Sequence, residues 1–193
     1  MNHWTDELVK LNACSEATEW ARTQPDLATA WSECQRGDWM LWLAGKLAGP
    51  VGDPRRRLLV GAAAECARLA LPLFEAKRPG DGRVRACLDT CDRFAAGDEA
   101  VTIADLRAAA YAAYAAAAAA ADAYAAYAAA AAAADAAADA DAAYAADAAD
   151  AADAAYAADA ADAADAARVA TLAQCADIVR RWYPAAPALE VQP

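Results

Sequence analysis

The sequence predicts an all-α fold: a single-domain helical bundle of about seven helices with a long Ala-rich helical hairpin. Three observations lead there. No stretch alternates apolar and polar residues with period two for long enough to make a strand. Outside the Ala-rich region, apolar residues recur three and four apart between helix-start and helix-stop residues. From Thr102 to Tyr183, 82 residues pass without Gly or Pro, and Ala, the strongest helix former, dominates them.

The first helix is expected from about Thr5 to Arg22. Thr5 would cap it, with Asp6 and Glu7 in the first turn, where the helix dipole favours acids. Leu8, Leu11, Cys14, Ala17 and Trp20 give its apolar side. Pro25 suits a first helical position and opens a second helix to about Gln35. Gly37 interrupts, and Asp38 can cap a third helix. That helix is apolar nearly all round from Trp39 until Lys46, the pattern of a central, buried element. Gly49 to Gly52 ends it.

Asp53-Pro54 is a cap followed by Pro, a strong helix start. Leu59, Ala62, Ala63, Cys66, Leu69, Ala70 and Leu73 follow at helical spacing, and Pro72 is expected to kink the end. Pro79 to Gly82 is a turn. Val84, Cys87, Leu88, Cys91 and Phe94 make the stripe of the next helix, closed by Gly97. Thr102 and Asp105 form a capping-box start for the Ala-rich helix. A final helix buries Leu172, Cys175, Ala176, Val179, Trp182 and Tyr183 and stops at Pro184. Residues 1–183 therefore read as one domain, with 111–167 a low-complexity helical arm within it and 184–193 a C-terminal tail.

The 57 residues from Tyr111 to Ala167 are 41 Ala, 10 Asp and 6 Tyr. As one rod the Gly- and Pro-free stretch would run about 120 Å, so a hairpin turning near Asp135 to Asp141 is the compact solution. From Asp141 to Arg168 every third residue is not Ala. Three helical residues turn about 300°, so this row winds around the helix and separates no wet face from a dry one. Expansion of a short coding repeat accounts for such a tract. The Ala side chains would let two helices approach closely, which leaves self-association open. Calcium binding lacks its loop spacing and Gly turn. The tract resembles the alanine-rich antifreeze family, but it holds none of the Thr that ice-binding helices align along a face. Asp wound around a rod does not imitate a duplex.

The formal net charge is −11, and ten of those charges lie in the tract. The remaining residues are nearly neutral, which opposes non-specific nucleic-acid binding. The N-terminus shows no secretory signal, and no apolar run is long enough to span a membrane, so a cytoplasmic location is expected. Six Cys without such a signal read as buried thiols rather than disulfides. Cys87 and Cys91 lack two further ligands at zinc spacing. His3 is the lone histidine and sits where chains fray, so no catalytic triad, metal or cofactor is expected, and no enzyme.

Two groups are candidates for binding. Trp31, Arg36, Asp38, Trp39 and Trp42 lie in the Trp-richest stretch, and Trp serves both as core and as recognition anchor. Arg55, Arg56 and Arg57 follow a Gly-rich loop at a helix start, against the helix dipole, and could hold an anion such as a phosphate. A second basic group, Lys77, Arg78, Arg83 and Arg85, lies at the far end of the same helix. Glu65 with Arg68, and Asp177 with Arg181, are expected as ion pairs along their own helices.

The run Ala30-Trp31-Ser32-Glu33-Cys34-Gln35-Arg36-Gly37-Asp38-Trp39-Met40-Leu41-Trp42-Leu43 resembles the immunity proteins found beside bacterial polymorphic toxins. Ala13-Cys14, Glu16, Glu65-Cys66-Ala67, the Ala/Tyr tract and Cys175 to Arg180 continue the resemblance in order. It implies a non-enzymatic, cytoplasmic protein, bacterial or phage-encoded, that neutralises a protein toxin. The alternative is a phage-encoded sponge for a nucleotide-type immune signal, with Trp stacking the base and Arg holding phosphate. An ice-binding protein is a third reading.

Overall fold

The computed structural model describes residues 3–50, 53–118 and 164–189. Among these residues the fold is all-α, as expected, and holds nine helices. They are α1 (Thr5–Lys10), α2 (Ser15–Arg22), α3 (Leu27–Glu33), α4 (Gly37–Leu47), α5 (Pro54–Arg68), α6 (Leu71–Lys77), α7 (Arg83–Ala95), α8 (Ile103–Ala118) and α9 (Ala164–Trp182). The hairpin turn expected near Asp135 to Asp141, and most of the Ala–Asp–Tyr tract, lie outside the described residues.

Two of the expected helices are each divided in two. The first breaks after Lys10, where Asn12 takes a left-handed φ of 64° and the Ala13 N–H closes back on the Leu8 carbonyl at 2.9 Å. Asn is one of the few non-Gly residues that tolerate this conformation. Thr5 is not the cap: Trp4 stands there without a side-chain cap bond, and Thr5 is buried inside α1. The second division separates α5 from α6. Pro72 has no N–H, and its ring crowds the carbonyl four residues back, that of Arg68, where α5 ends.

Other starts follow local chemistry. Asp26, not Pro25, opens α3, its carboxylate accepting from the Thr29 N–H at 2.7 Å. Arg36 occupies the cap position of α4, and Asp38 sits buried in its first turn. Asp53 caps α5 by accepting from the Arg55 N–H at 2.9 Å, with Pro54 first in the helix. Thr102 and Asp105 form a reciprocal capping box at α8. Gly97 closes α7 at φ 83°, with the Asp98 N–H reaching the Arg93 carbonyl.

Helix α5 is the centre. It packs against α4, α6, α7 and α9, while α7 also supports α8 and α9 also supports α4. Leu59 through Ala64, Cys66 and Ala67 of α5 are all buried. Of the stripes expected on α7 and α9, Val84, Cys87, Leu88, Cys91, Leu172, Cys175, Ala176 and Val179 are buried, while Phe94, Trp182 and Tyr183 are only partly buried. Helix α9 rests on two glycines. A Cβ at Gly37 would stand 2.3 Å from the Cys175 Cβ, and one at Gly61 would stand 2.3 Å from the Trp182 ring.

Substitutions test both the packing and the capping. Gly37→Ala forces α4 away from the α9 backbone and should cost about 1–3 kcal/mol in urea unfolding. Gly82→Ala, with nothing near its Cβ, should stay within about 0.5 kcal/mol of the parent. The Asp53 carboxyl is held at about 2, below its ordinary 3.8, by the hydrogen bonds from the Arg55 side chain and backbone. A depressed folded pKa stabilises above the unfolded value and is lost as pH falls through the folded one. Asp53→Asn should therefore be less stable than the parent near neutral pH, and the gap should close between 3.8 and about 2 in acid titration.

Candidate functional site

The first four helices enclose a cleft of about 400 Å³. Its lining is mainly apolar. Leu8 comes from α1, Ala17, Trp20 and Ala21 from α2, Leu27, Ala30 and Trp31 from α3, and Trp39, Met40, Trp42 and Leu43 from α4. Trp4, just before α1, and Asn12, Ala13 and Cys14, in the break after it, also line the cleft. Trp20 and Trp39 meet with ring centroids 5.9 Å apart and planes tilted by 51°.

The charged part of the cleft is compact. Arg36 grips Asp38 with two prongs, Nε to Oδ1 at 2.9 Å and Nη2 to Oδ2 at 2.5 Å. Its Nη1 reaches Glu16 Oε1 at 3.3 Å, and its guanidinium lies 4.3 Å from the Trp39 ring centroid. Asp38 keeps only 7% of its side chain exposed, against 27% for Arg36 and 72% for Glu16. Burial pushes the Cys34 thiol up to about 11, so it is protonated and a poor nucleophile at neutral pH.

Trp31 acts as a strut between the ends of the chain. Its indole N–H donates to the Tyr183 carbonyl at 3.0 Å, and the two rings meet edge to face at 6.4 Å. Arg180, which the sequence pattern did not single out, joins the same region. Its Nη1 donates to the carbonyls of Cys34 at 2.7 Å and Trp31 at 3.3 Å, at the end of α3, where helix carbonyls lack intrahelical partners.

The structure brings Trp31, Arg36, Asp38, Trp39 and Trp42 to one cleft and leaves Arg55, Arg56 and Arg57 off its lining. The basic triplet is turned toward its own surroundings. Arg55 pairs with Asp53 at 2.7 Å, Arg56 Nε donates to the Gly49 carbonyl at 2.9 Å, and Arg57 lies 5.8 Å from the Phe94 ring centroid. The carboxylate at this helix start is thus supplied by Asp53 itself. In the second basic group, Arg83 pairs with Asp81 at 2.6 Å and Arg85 with Glu75 at 2.6 Å.

Glu65 and Arg68 pair with other helices instead of with each other, and Asp177 takes a different partner on its own helix. Glu65 of α5 meets Arg181 and the Trp182 indole N–H of α9, while Arg68 of α5 meets Asp89 and Asp92 of α7. Asp177 pairs with Arg180 at 2.7 Å rather than with Arg181. Spacing along one helix cannot show which neighbour a side chain faces once helices are packed.

Residues 50–183 match the family model of the Imm-5 like putative immunity protein. The chain belongs to that family. No curated protein and no solved structure matches it. The Imm-5 like match includes Glu65-Cys66-Ala67 and Cys175 to Arg180, both part of the resemblance seen in sequence. It begins after the Ala30 to Leu43 run, so the cleft belongs to the part of this Imm-5 like protein outside the match. Among the described residues no helix is long and apolar enough to cross a membrane, and no three His, Cys, Asp or Glu side chains gather as metal ligands.

Removing the Arg36 guanidinium would leave Asp38 buried without its cation. Arg36→Gln should cost about 3 kcal/mol in urea unfolding, the lower end for a broken buried pair because Arg36 is partly solvated. Trp emission should shift at the same time, since Arg36 lies on the Trp39 ring.

Proposed function

We propose that this protein neutralises a protein toxin by binding it, as a cytoplasmic immunity protein without an enzymatic step. The observation that carries the reading is the family match over residues 50–183. Burial holds Cys34, beside the cleft's charged cluster, as a thiol and a poor nucleophile.

The toxin-contacting surface we favour is the start of α5, inside the matched residues. Leu58 is 38% exposed there, beside the exposed Arg55 and Arg57. An exposed apolar residue among arginines has the composition of an interface, where Arg is enriched and Lys depleted. The sponge reading draws less support. It needs free guanidinium donors for phosphate, and the one Arg on the cleft lining already serves two carboxylates.

Co-expression with the toxin encoded beside the gene tests the proposal. The parent protein should restore growth and co-purify with the toxin. The pair Arg57→Glu and Leu58→Asp should lose both effects while keeping the parent's helical circular dichroism. Equal killing with and without the parent protein would refute the function. Full protection by the folded double variant would refute the surface alone.

A further inference from the structure

The charged groups of the N-terminal cleft are already committed to one another, and one buried donor on its lining is not. We propose that the cleft binds a neutral, largely apolar one- or two-ring molecule bearing a carbonyl oxygen, and that the Trp4 indole N–H donates to that oxygen. The inference does not depend on toxin neutralisation, and the cleft lies outside the residues that match the family model.

Size comes first. About 400 Å³ falls within the range of small-molecule sites, and the walls are of their usual kind, mostly apolar with a few polar groups. Five of the protein's six Trp line it: Trp4, Trp20, Trp31, Trp39 and Trp42. Such walls suit a ring-shaped apolar occupant, because contacts between rings add to the gain from removing apolar area from water.

Charge removes the ionic classes. Arg36 is held by Asp38 through two bonds and by Glu16 through a third, and its guanidinium rests on the Trp39 ring. Lys46 stands 5.9 Å from the Trp42 ring centroid. An incoming cation would thus find these two indole rings already faced by cations and both carboxylates already paired. An anion would meet two carboxylates and a guanidinium engaged by both. Either ion would give up hydration to enter mostly apolar walls without gaining a partner for its charge. A neutral molecule keeps the apolar gain and avoids that cost.

The lining itself names the polar atom that the ligand must carry. The Trp4 indole N–H is buried and meets no acceptor among the described residues, whereas the Trp31 indole N–H donates to the Tyr183 carbonyl. Buried donors without acceptors are rare in protein interiors, because leaving one unmet is costly. Only an acceptor relieves that cost, and a carbonyl oxygen supplies one without adding charge. The wall that bears this donor is also the one best able to adjust. Trp4 directly precedes α1, a helix of six residues at the start of the chain, whose main packing partner is α2. Chain ends are ordered only where something ties them down. A small shift of this wall brings the N–H to the cleft, and the bound oxygen then holds it there.

The test uses the full chain and four probes that share one skeleton: 1-tetralone (ketone), tetralin (no acceptor), 2-aminotetralin (cation) and tetralin-2-carboxylate (anion). Affinities are measured by equilibrium dialysis. The ketone should bind saturably and more tightly than either ion. Trp4→Phe keeps a ring and removes the donor. It should weaken the ketone about five-fold, the effect of one hydrogen bond, and leave tetralin unchanged. Ala17→Trp, which fills the cleft, should abolish binding of both neutral probes at unchanged helical circular dichroism. The parent protein gives a reading without any substitution: its Trp4 indole N–H proton resonance should move downfield with the ketone and not with tetralin. The proposal is overturned if the ketone does not bind saturably, if either ion matches it, if Trp4→Phe fails to distinguish ketone from hydrocarbon, or if both shift the Trp4 resonance alike.

Discussion

The fold depends on how closely helices can approach α5. Its buried face carries Gly61, Ala62, Ala63, Ala64, Cys66 and Ala67, so little side-chain bulk separates its backbone from its neighbours. Packing of that kind gains dispersion contacts over short distances and tolerates almost no added volume. Larger groups are placed to suit. The Trp182 ring lies over Gly61, and Cys175 sits where Gly37 has no Cβ. Polar residues then fasten the edges, with Glu65 reaching α9 and Arg68 reaching α7 from the same central helix. The fastening fixes how the helices are rotated, which small apolar faces alone define poorly.

Much of this architecture was legible in the residues themselves. Start and stop chemistry worked where the signal was local: Asp53-Pro54, the Thr102–Asp105 box and Gly97 all act as their types suggest. Stripes on α7 and α9 were legible because their periodicity reports a single buried face. What escaped was set by tertiary context. The break at Asn12 has no Gly or Pro to announce it, and apolar spacing runs across it from Leu8 to Trp20. Asp38 reads as a cap by position, yet the two-pronged grip of Arg36 turns it into a buried anion. The partners of Glu65, Arg68 and Arg181 lie on other helices, where helical spacing carries no information.

Charge is distributed in three separate ways. The excess acid of the chain is concentrated in the Ala–Asp–Tyr tract. The basic cluster at the start of α5 is partly neutralised by Asp53, so it presents Arg with limited net charge. The cleft combines indole rings with one guanidinium, Arg36, shared between the carboxylates of Asp38 and Glu16. These are chemically distinct surfaces, and the global value of −11 describes none of them. A protein with a single net charge can thus offer different partners different fields over distances near the Debye length, about 8 Å at physiological ionic strength.

The clasp made by Trp31 and Arg180 carries a consequence for the order of folding. Trp31 donates to a carbonyl 152 residues later, and the Arg180 bond to the Cys34 carbonyl spans 146 residues. During synthesis, α1 to α4 leave the ribosome long before α9 exists. At roughly 5–20 residues per second, the wait is on the order of ten seconds. Throughout that interval the α3 carbonyls lack Arg180, Trp31 lacks Tyr183, and Gly37 lacks the α9 backbone it was spared a Cβ to meet. The first segment made is thus among the last to be completed, and the ribosome releases it as a partner waiting for its own C-terminus.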